Sequence, residues 1–223
     1  MSESTRTRLD AATGALFALL MTTALVLPGQ PPKADDAVET VIALLVDRRR
    51  AFLVGGYVAG LAAMAFLWFV SALCNYLRGR DAAEHAGAIF IAGVFAISST
   101  ITGVMLIGGV AFAAARFGDP AVVRALNDAG TFLIETSKFG FAVLLLAAAR
   151  SGAPDALPRG LRTFALVSVP LVLLSALALV VDGGIFQFGG VVDLAGGAPP
   201  LLWIVAASVV MMRNPLPAVK GAP

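Results

Sequence analysis

Long apolar segments alternate along the chain with short polar connections. Residues 51–77 and 86–115 contain no charged side chain, and each exceeds the ~20 residues that an α-helix needs to cross the hydrocarbon core of a bilayer. Hydropathy predicts spans at 11–27, 51–77, 86–115, 129–149, 163–181 and 191–212. The pattern therefore predicts an all-α fold: one domain over residues 1–223, built as a polytopic bundle of six transmembrane helices.

The first outer loop is long enough to form an element of its own. Within residues 35–47, the apolar residues Val38, Val41, Ile42 and Leu45 recur at helical spacing after two aspartates. This predicts a short amphipathic helix at the membrane interface. Two roles stay open for it: shaping the entry to the second span, and covering a binding site as a lid.

Composition places the chain outside the range of soluble proteins. Hydrophobic residues make up 59% of it and charged residues 13%, whereas charged residues make up about 25% of an ordinary soluble domain. The formal net charge of +2, with scattered basic residues, does not favour nucleic acid as a partner. The expected partners are membrane lipids, together with another membrane protein or a second copy of the chain.

The side chains that common cofactors and catalytic sites require are scarce. Cys74 is the only cysteine and His85 the only histidine. One chain therefore cannot form a disulfide, a thiolate or histidine metal site, or a bis-histidine haem site. No nucleophile-elbow, zinc-hydrolase or nucleotide-binding motif is present. The sequence predicts no cofactor, no metal and no enzymatic activity.

The distribution of lysine and arginine predicts the orientation in the membrane. With the N-terminus in the cytoplasm, nine basic residues fall on the cytoplasmic side and six on the outer side, while Lys138 lies within a span. Both termini are therefore expected in the cytoplasm. Arg48, Arg49 and Arg50 are the exception, because they follow the first outer loop.

The fourth predicted span carries two opposite charges, Glu135 and Lys138. A charge within hydrocarbon costs roughly 2.5–3.5 kcal/mol on insertion scales, so it needs a partner or a wet cavity. Arg124, Asp128 and Thr131 precede the two residues at steps of three and four, which places all five on one helix face. Two interpretations stay open: a stabilising i,i+3 ion pair, and a charged pair that lines a functional pocket.

Further polar residues are expected at the same depth in the membrane as this charged pair. At 1.5 Å per residue, Glu135 lies about 9 Å and Lys138 about 14 Å below the outer end of their span. Tyr57, Thr102 and Ser175 fall at comparable depths in three other spans. The hypothesis is a cavity in the outer half of the bundle. Its predicted ligand-binding residues are Asp128, Thr131, Glu135, Lys138, Tyr57, Thr102 and Ser175.

Glycine and proline predict where helices touch and where they break. Gly56 and Gly60 form a GxxxG pair in the second span, and Gly103 lies in the third; small residues of this kind let helices approach closely. Pro199 and Pro200 predict that the last helix is kinked there or begins there. A broken helix that lines a transport site is the alternative.

Four short segments carry a family resemblance. They are Pro-Gly at 28–29, Asp-Arg-Arg-Arg at 47–50, Tyr-Leu-Arg at 76–78 and Ala-Leu-Pro-Arg-Gly at 156–160. With this layout, the chain resembles a widespread group of actinobacterial multipass membrane proteins of uncharacterised function. The resemblance implies a six-helix protein of the bacterial plasma membrane and adds no activity.

Two functions follow from these observations. The leading hypothesis is a non-enzymatic plasma-membrane protein that binds a lipid or other amphiphile, or supports a membrane assembly, through the outer-half polar pocket. The alternative is a cation- or proton-coupled transporter in which Glu135 titrates and Lys138 is its internal counter-charge. The two hypotheses differ in whether Glu135 changes its protonation state while the protein functions.

Overall fold

The computed structural model describes residues 3–29, 36–80, 82–151, 156–181 and 184–216, and within them the chain is helical, with no β-strand. The helices are α1 (Glu3–Val26), α2 (Val38–Asp47), α3 (Arg49–Arg78), α4 (Ala86–Phe117), α5 (Pro120–Arg150), α6 (Arg159–Ser175) and α7 (Val191–Arg213). Short 3₁₀ turns lie at Ala83–His85, Ala176–Leu179 and Gly184–Phe186. The predicted all-α fold is confirmed.

The described residues contain six segments that are long and apolar enough to cross a membrane, one for each helix except α2. Large apolar side chains cover the outside of the bundle: Met64 is 68%, Ile91 71% and Val167 67% exposed. Exposure of such an apolar surface to water costs free energy, whereas its exposure to lipid does not. The chain is therefore a multipass membrane protein, as its hydropathy predicts.

The helix predicted in the first outer loop is α2. Its buried side chains Val41 and Leu45 pack against Val110 of α4 and Val123 of α5. Arg124 adds a polar contact, because its Nη1 donates to the carbonyl oxygen of Asp36 at 2.8 Å. An apolar seam thus fixes α2 across the ends of α4 and α5. We call this side of the bundle the α2 side and the opposite side the terminal side.

The membrane helices form a closed ring in chain order. Helix α1 packs on α3, each later helix packs on the next, and α7 returns to α1. Aromatic rings fill the interior: the ring centroid of Phe66 lies 4.7 Å from that of Phe17 and 5.8 Å from that of Phe141. Trp203 of α7 is fully buried, and its indole nitrogen donates to the carbonyl oxygen of Leu161 at 3.2 Å. These aromatic side chains therefore fill the centre of the ring.

A close helix approach joins α4 and α5 at Gly103 and Gly130. A Cβ added to Gly103 would collide with the carbonyl oxygen of Gly130, and one added to Gly130 would lie 2.8 Å from the carbonyl oxygen of Gly103. The predicted contact at Gly56 and Gly60 is wrong. Among the described residues, an added Cβ would meet nothing within 4 Å at Gly56, and at Gly60 it would meet only Met105, at 3.8 Å.

The chain departs from α-helix between α6 and α7, and not at the two prolines of the last span. Helix α6 ends at Ser175, and the described residues of 176–190 form 3₁₀ turns and bends before α7 begins at Val191. Pro199 and Pro200 lie inside α7. The last helix therefore does not begin at the prolines, and the chain leaves the α-helical path on the α2 side instead.

Reporter fusions test the predicted orientation. We expect reporters placed after Arg80 and after Ala153 to behave as cytoplasmic, and reporters near Gln30 and Asp119 to behave as external, because of the nine-to-six balance of basic residues. Paired alkaline phosphatase and green fluorescent protein fusions measure this in cells. A fluorescent, phosphatase-inactive fusion near Asp119 would invert the topology.

Candidate functional site

A buried polar cluster surrounds Lys138, and we call its three charged members, Glu135, Lys138 and Asp193, the triad. The Lys138 Nζ lies 2.5 Å from Glu135 Oε2 and also contacts Asp193 Oδ1. It donates as well to the carbonyl oxygen of Ser175, at 3.3 Å. Glu135 is 1%, Asp193 7% and Lys138 8% exposed. All three donors of the ammonium therefore find acceptors within the protein.

Three helices place these groups together. Glu135 and Lys138 are one turn apart on the same face of α5, where an i,i+3 pair meets directly. Ser175 is the last residue of α6 and is followed directly by the 3₁₀ turn Ala176–Leu179, so its carbonyl oxygen lies outside the i,i+4 hydrogen bonds of the α-helix. The negative end of the α6 dipole also favours a cation at this point. Lys138 thus satisfies a helix end as well as a carboxylate.

Asp193 reaches the cluster from the first turn of α7, where the helix dipole favours a carboxylate. Its Oδ2 accepts a hydrogen bond from the backbone N–H of Gly189 at 2.7 Å, while its Oδ1 contacts Lys138. The arrangement is similar to the second half of a capping box, in which an acidic side chain reaches back to a backbone N–H before the helix. One side chain therefore both caps α7 and holds Lys138.

Gly196 lets α7 approach α6 beside the triad. A Cβ added to Gly196 would collide with the side chain of Ser175 and would lie 3.2 Å from the carbonyl oxygen of Leu171. Gly196 and Asp193 are one turn apart, so they share a face of α7. The missing side chain brings that face, and with it the Asp193 carboxylate, up to the end of α6.

The charges of the triad do not balance. With all three side chains ionised, two carboxylates and one ammonium leave a net charge of −1 in the bundle. An uncompensated charge in a low-dielectric interior is costly, so the site favours the uptake of one more positive charge. A proton is the smallest group that supplies it.

Gln187 is a further buried polar residue near the start of α7. Its side chain is 8% exposed, and its Oε1 has no hydrogen-bond partner among the described residues. Gln187 belongs to the turn whose Gly189 N–H binds Asp193, and its carbonyl oxygen accepts from the N–H of Gly190. A buried amide oxygen in this position suits a hydrogen bond from a water molecule.

The predicted polar stripe on α5 divides into two parts. Arg124 and Asp128 form an i,i+4 ion pair at 2.8 Å on the α2 side, and the Asp128 side chain is about half exposed there. Thr131, which lies between the two pairs, is partly buried. Among the described residues, no hydrogen bond or ion pair joins Thr131 or Asp128 to the triad. Only Glu135 and Lys138 of the stripe reach the buried site.

The structure does not bring Tyr57 or Thr102 to the triad, contrary to the predicted cavity. Tyr57 is 69% exposed and Thr102 is also exposed. Both side chains point away from the packed interior, because their positions on α3 and α4 face lipid. Ser175 does lie at the triad, but through its backbone: its hydroxyl donates to the carbonyl of Val172 at 2.8 Å.

Sequence reasoning missed Asp193 and Gln187. Asp193 lies 55 residues from Lys138, so no local spacing relates the two. One signal was available: Asp193 is an acidic residue within the predicted span 191–212 and has no basic neighbour there. A charged side chain without a partner in its own span indicates that it meets a polar group of another span.

Comparison of the chain with protein-family models, with curated proteins and with solved structures gives no match. The resemblance to actinobacterial membrane proteins therefore stays a prediction. Among the described residues, no group of three or more His, Cys, Asp or Glu side chains could hold a metal ion.

Proposed function

We propose that the chain is a non-enzymatic, proton-coupled transporter of the bacterial plasma membrane, with the triad as its proton-binding site. One observation carries the proposal: two buried carboxylates share a single ammonium among the membrane helices. An ion pair that only stabilised the bundle would need one carboxylate. The second carboxylate leaves an odd negative charge, and intramembrane groups of this kind typically serve ion or proton pathways.

Asp193 links the proton to a change in shape. It holds Lys138 and also the N–H of Gly189. A proton on its carboxylate weakens both charge-assisted contacts, and therefore loosens the start of α7 as well as its contact with α5. The part that responds comprises the described residues of 176–190, because they form 3₁₀ turns and bends and not a continuous α-helix.

The packing supports access to the triad from the α2 side. Phe141 is one turn from Lys138 toward the terminal side, on the same face of α5, and its ring packs against Phe66 at 5.8 Å. Together with Phe17, these rings form a dry barrier below the triad. On the α2 side, the triad contacts the carbonyl oxygen of Ser175 and the N–H of Gly189, so the described residues between these two positions are the proposed gate.

A pH jump tests the proposal without knowledge of the substrate. We expect wild-type proteoliposomes on a solid-supported membrane to give a transient current when the bath pH changes, because a buried site takes up a proton and displaces charge. The triple variant Glu135→Gln, Lys138→Met, Asp193→Asn should abolish the current, since no titratable side chain of the triad is then left. Uptake assays under a pH gradient, with amino acids, sugars and organic cations, then search for the coupled substrate.

Asp128→Asn is the matched control for this experiment. It removes a carboxylate from the same helix, but from an exposed ion pair with Arg124. Its transient current should equal that of the wild type. The absence of a wild-type current, or an unchanged current in the triple variant, would contradict the proposal.

Amphiphile binding is the second candidate, and a separate cavity favours it. A cavity of about 280 Å³ opens where α4 and α5 join, beside the seam that holds α2. It is lined by Val110, Ala113, Gly118, Asp119, Val122, Val123 and Leu126. A co-purified lipid in native mass spectra, with no pH-jump current, would favour this function over transport.

A further inference from the structure

The Lys138 ammonium occupies a place that resembles a binding site for a monovalent cation. Three oxygen atoms from three helices contact its Nζ: Glu135 Oε2 from α5, Asp193 Oδ1 from α7 and the carbonyl oxygen of Ser175 from the end of α6. Carboxylates and the carbonyl ends of interrupted membrane helices are the ligands that bind Na⁺ in transporters. An alkylammonium carries the same unit charge and is close to K⁺ in size.

We propose that the Lys138 ammonium is a tethered cation that fills this monovalent-cation site. The wild-type protein is therefore independent of Na⁺ and K⁺, and a proton is the only ion that its triad takes up. The inference deepens the proposed function by naming the coupling ion. It rests, however, on the contacts of Lys138 and does not require that the protein transports anything.

Two of the three oxygen ligands are held by contacts that do not involve Lys138. Asp193 is fixed through its other carboxylate oxygen by the N–H of Gly189. Ser175 is fixed by the end of α6 and by the packing of Gly196 against it. The ligands therefore stay in place when the lysine side chain is removed. The space that the ammonium leaves then has two buried carboxylates around it, which attract a free cation.

The experiment compares the wild type with Lys138→Ala, purified in detergent and choline chloride at alkaline pH. NaCl, KCl or LiCl then replaces the choline salt at constant ionic strength, and the melting temperature is recorded. We expect at least one of NaCl and KCl to raise the melting temperature of Lys138→Ala saturably, by about 5 °C. The wild type should melt at the same temperature in every salt, because its own ammonium occupies the site.

Two further variants make the result specific. Lys138→Met fills the space with an uncharged side chain, so its melting temperature should not respond to the cation. Lys138→Ser leaves the space open, as Lys138→Ala does, and it serves if the alanine variant is not recovered. Addition of Glu135→Gln and Asp193→Asn to Lys138→Ala should remove the cation response, because no carboxylate is left to bind Na⁺ or K⁺.

Three outcomes would overturn the inference. The first is that the melting temperatures of Lys138→Ala and Lys138→Ser are the same in every salt, and the second is that neither variant is recovered folded even in NaCl or KCl. The third is that the melting temperature of the wild type responds to the salt as strongly as that of the variants. A wild-type pH-jump current without any cation response of Lys138→Ala would leave the transport proposal intact and overturn this one. A cation response of Lys138→Ala without a wild-type pH-jump current would leave this inference intact and overturn the transport proposal.

Discussion

Lys138→Met is expected to lower the free energy of unfolding by about 3–5 kcal/mol, because it strands two buried carboxylates without a cation. Glu135→Gln should cost much less, since Lys138 and Asp193 remain as a neutral pair. A self-contained Glu135–Lys138 pair would give the opposite expectation for Glu135→Gln, namely a stranded lysine. The relative cost of the two variants therefore reports directly on Asp193.

The matched control is the triple variant Glu135→Gln, Lys138→Met, Asp193→Asn. It removes every charge of the triad, so its free energy of unfolding should return to within about 1–2 kcal/mol of the wild type. Unfolding by SDS in mixed micelles, together with melting in detergent, measures the stability of the wild type and of all three variants. If Lys138→Met were no less stable than Glu135→Gln, the carboxylates would be hydrated and the buried triad would be refuted.

Gly103→Ala and Gly130→Ala are each expected to lower the free energy of unfolding by about 1–3 kcal/mol. The added methyl group of either variant meets backbone across the α4–α5 contact, and backbone cannot rotate away as a side chain can. Membrane helices associate largely through such close packing, because burial from lipid supplies little driving force. The two helices must therefore separate to accept the methyl group.

Gly56→Ala is the control for this pair of variants. Outside the backbone of its own helix, no heavy atom of the described residues lies within 4 Å of a Cβ at Gly56, so the methyl group is accepted without movement. Because alanine is the better helix former by about 1 kcal/mol, Gly56→Ala should be neutral or slightly stabilising. Equal losses at Gly56 and Gly103 would show that helix propensity, and not helix contact, decides the stability. The same SDS titration measures both.

The α4–α5 contact also positions the triad. A Cβ at Gly103 would lie 2.8 Å from the Cγ1 of Ile134, the residue directly before Glu135. Separation of the helices should therefore move Glu135 as well as weaken the bundle. In the pH-jump assay, Gly103→Ala should consequently reduce the current more than Gly56→Ala does.

Local sequence determined the membrane helices and the amphipathic helix α2. Hydropathy is a property of consecutive residues, so an uncharged run such as 51–77 specifies a span whatever it packs against. The Glu135–Lys138 pair follows from spacing in the same way, because residues three apart meet on any α-helix. These predictions needed no knowledge of neighbouring helices.

Only the tertiary structure decided which helix faces meet. In a membrane, lipid is as apolar as the protein interior, so the pattern of apolar residues does not reveal how a helix is rotated. Tyr57 consequently faces lipid although its depth matches the triad, and Gly103 makes the close contact that Gly56 does not. Asp193 joins Lys138 across 55 residues for the same reason. Local spacing therefore predicted Glu135 and Lys138 as a pair, whereas Asp193 joins them only because α7 packs against α5 and α6.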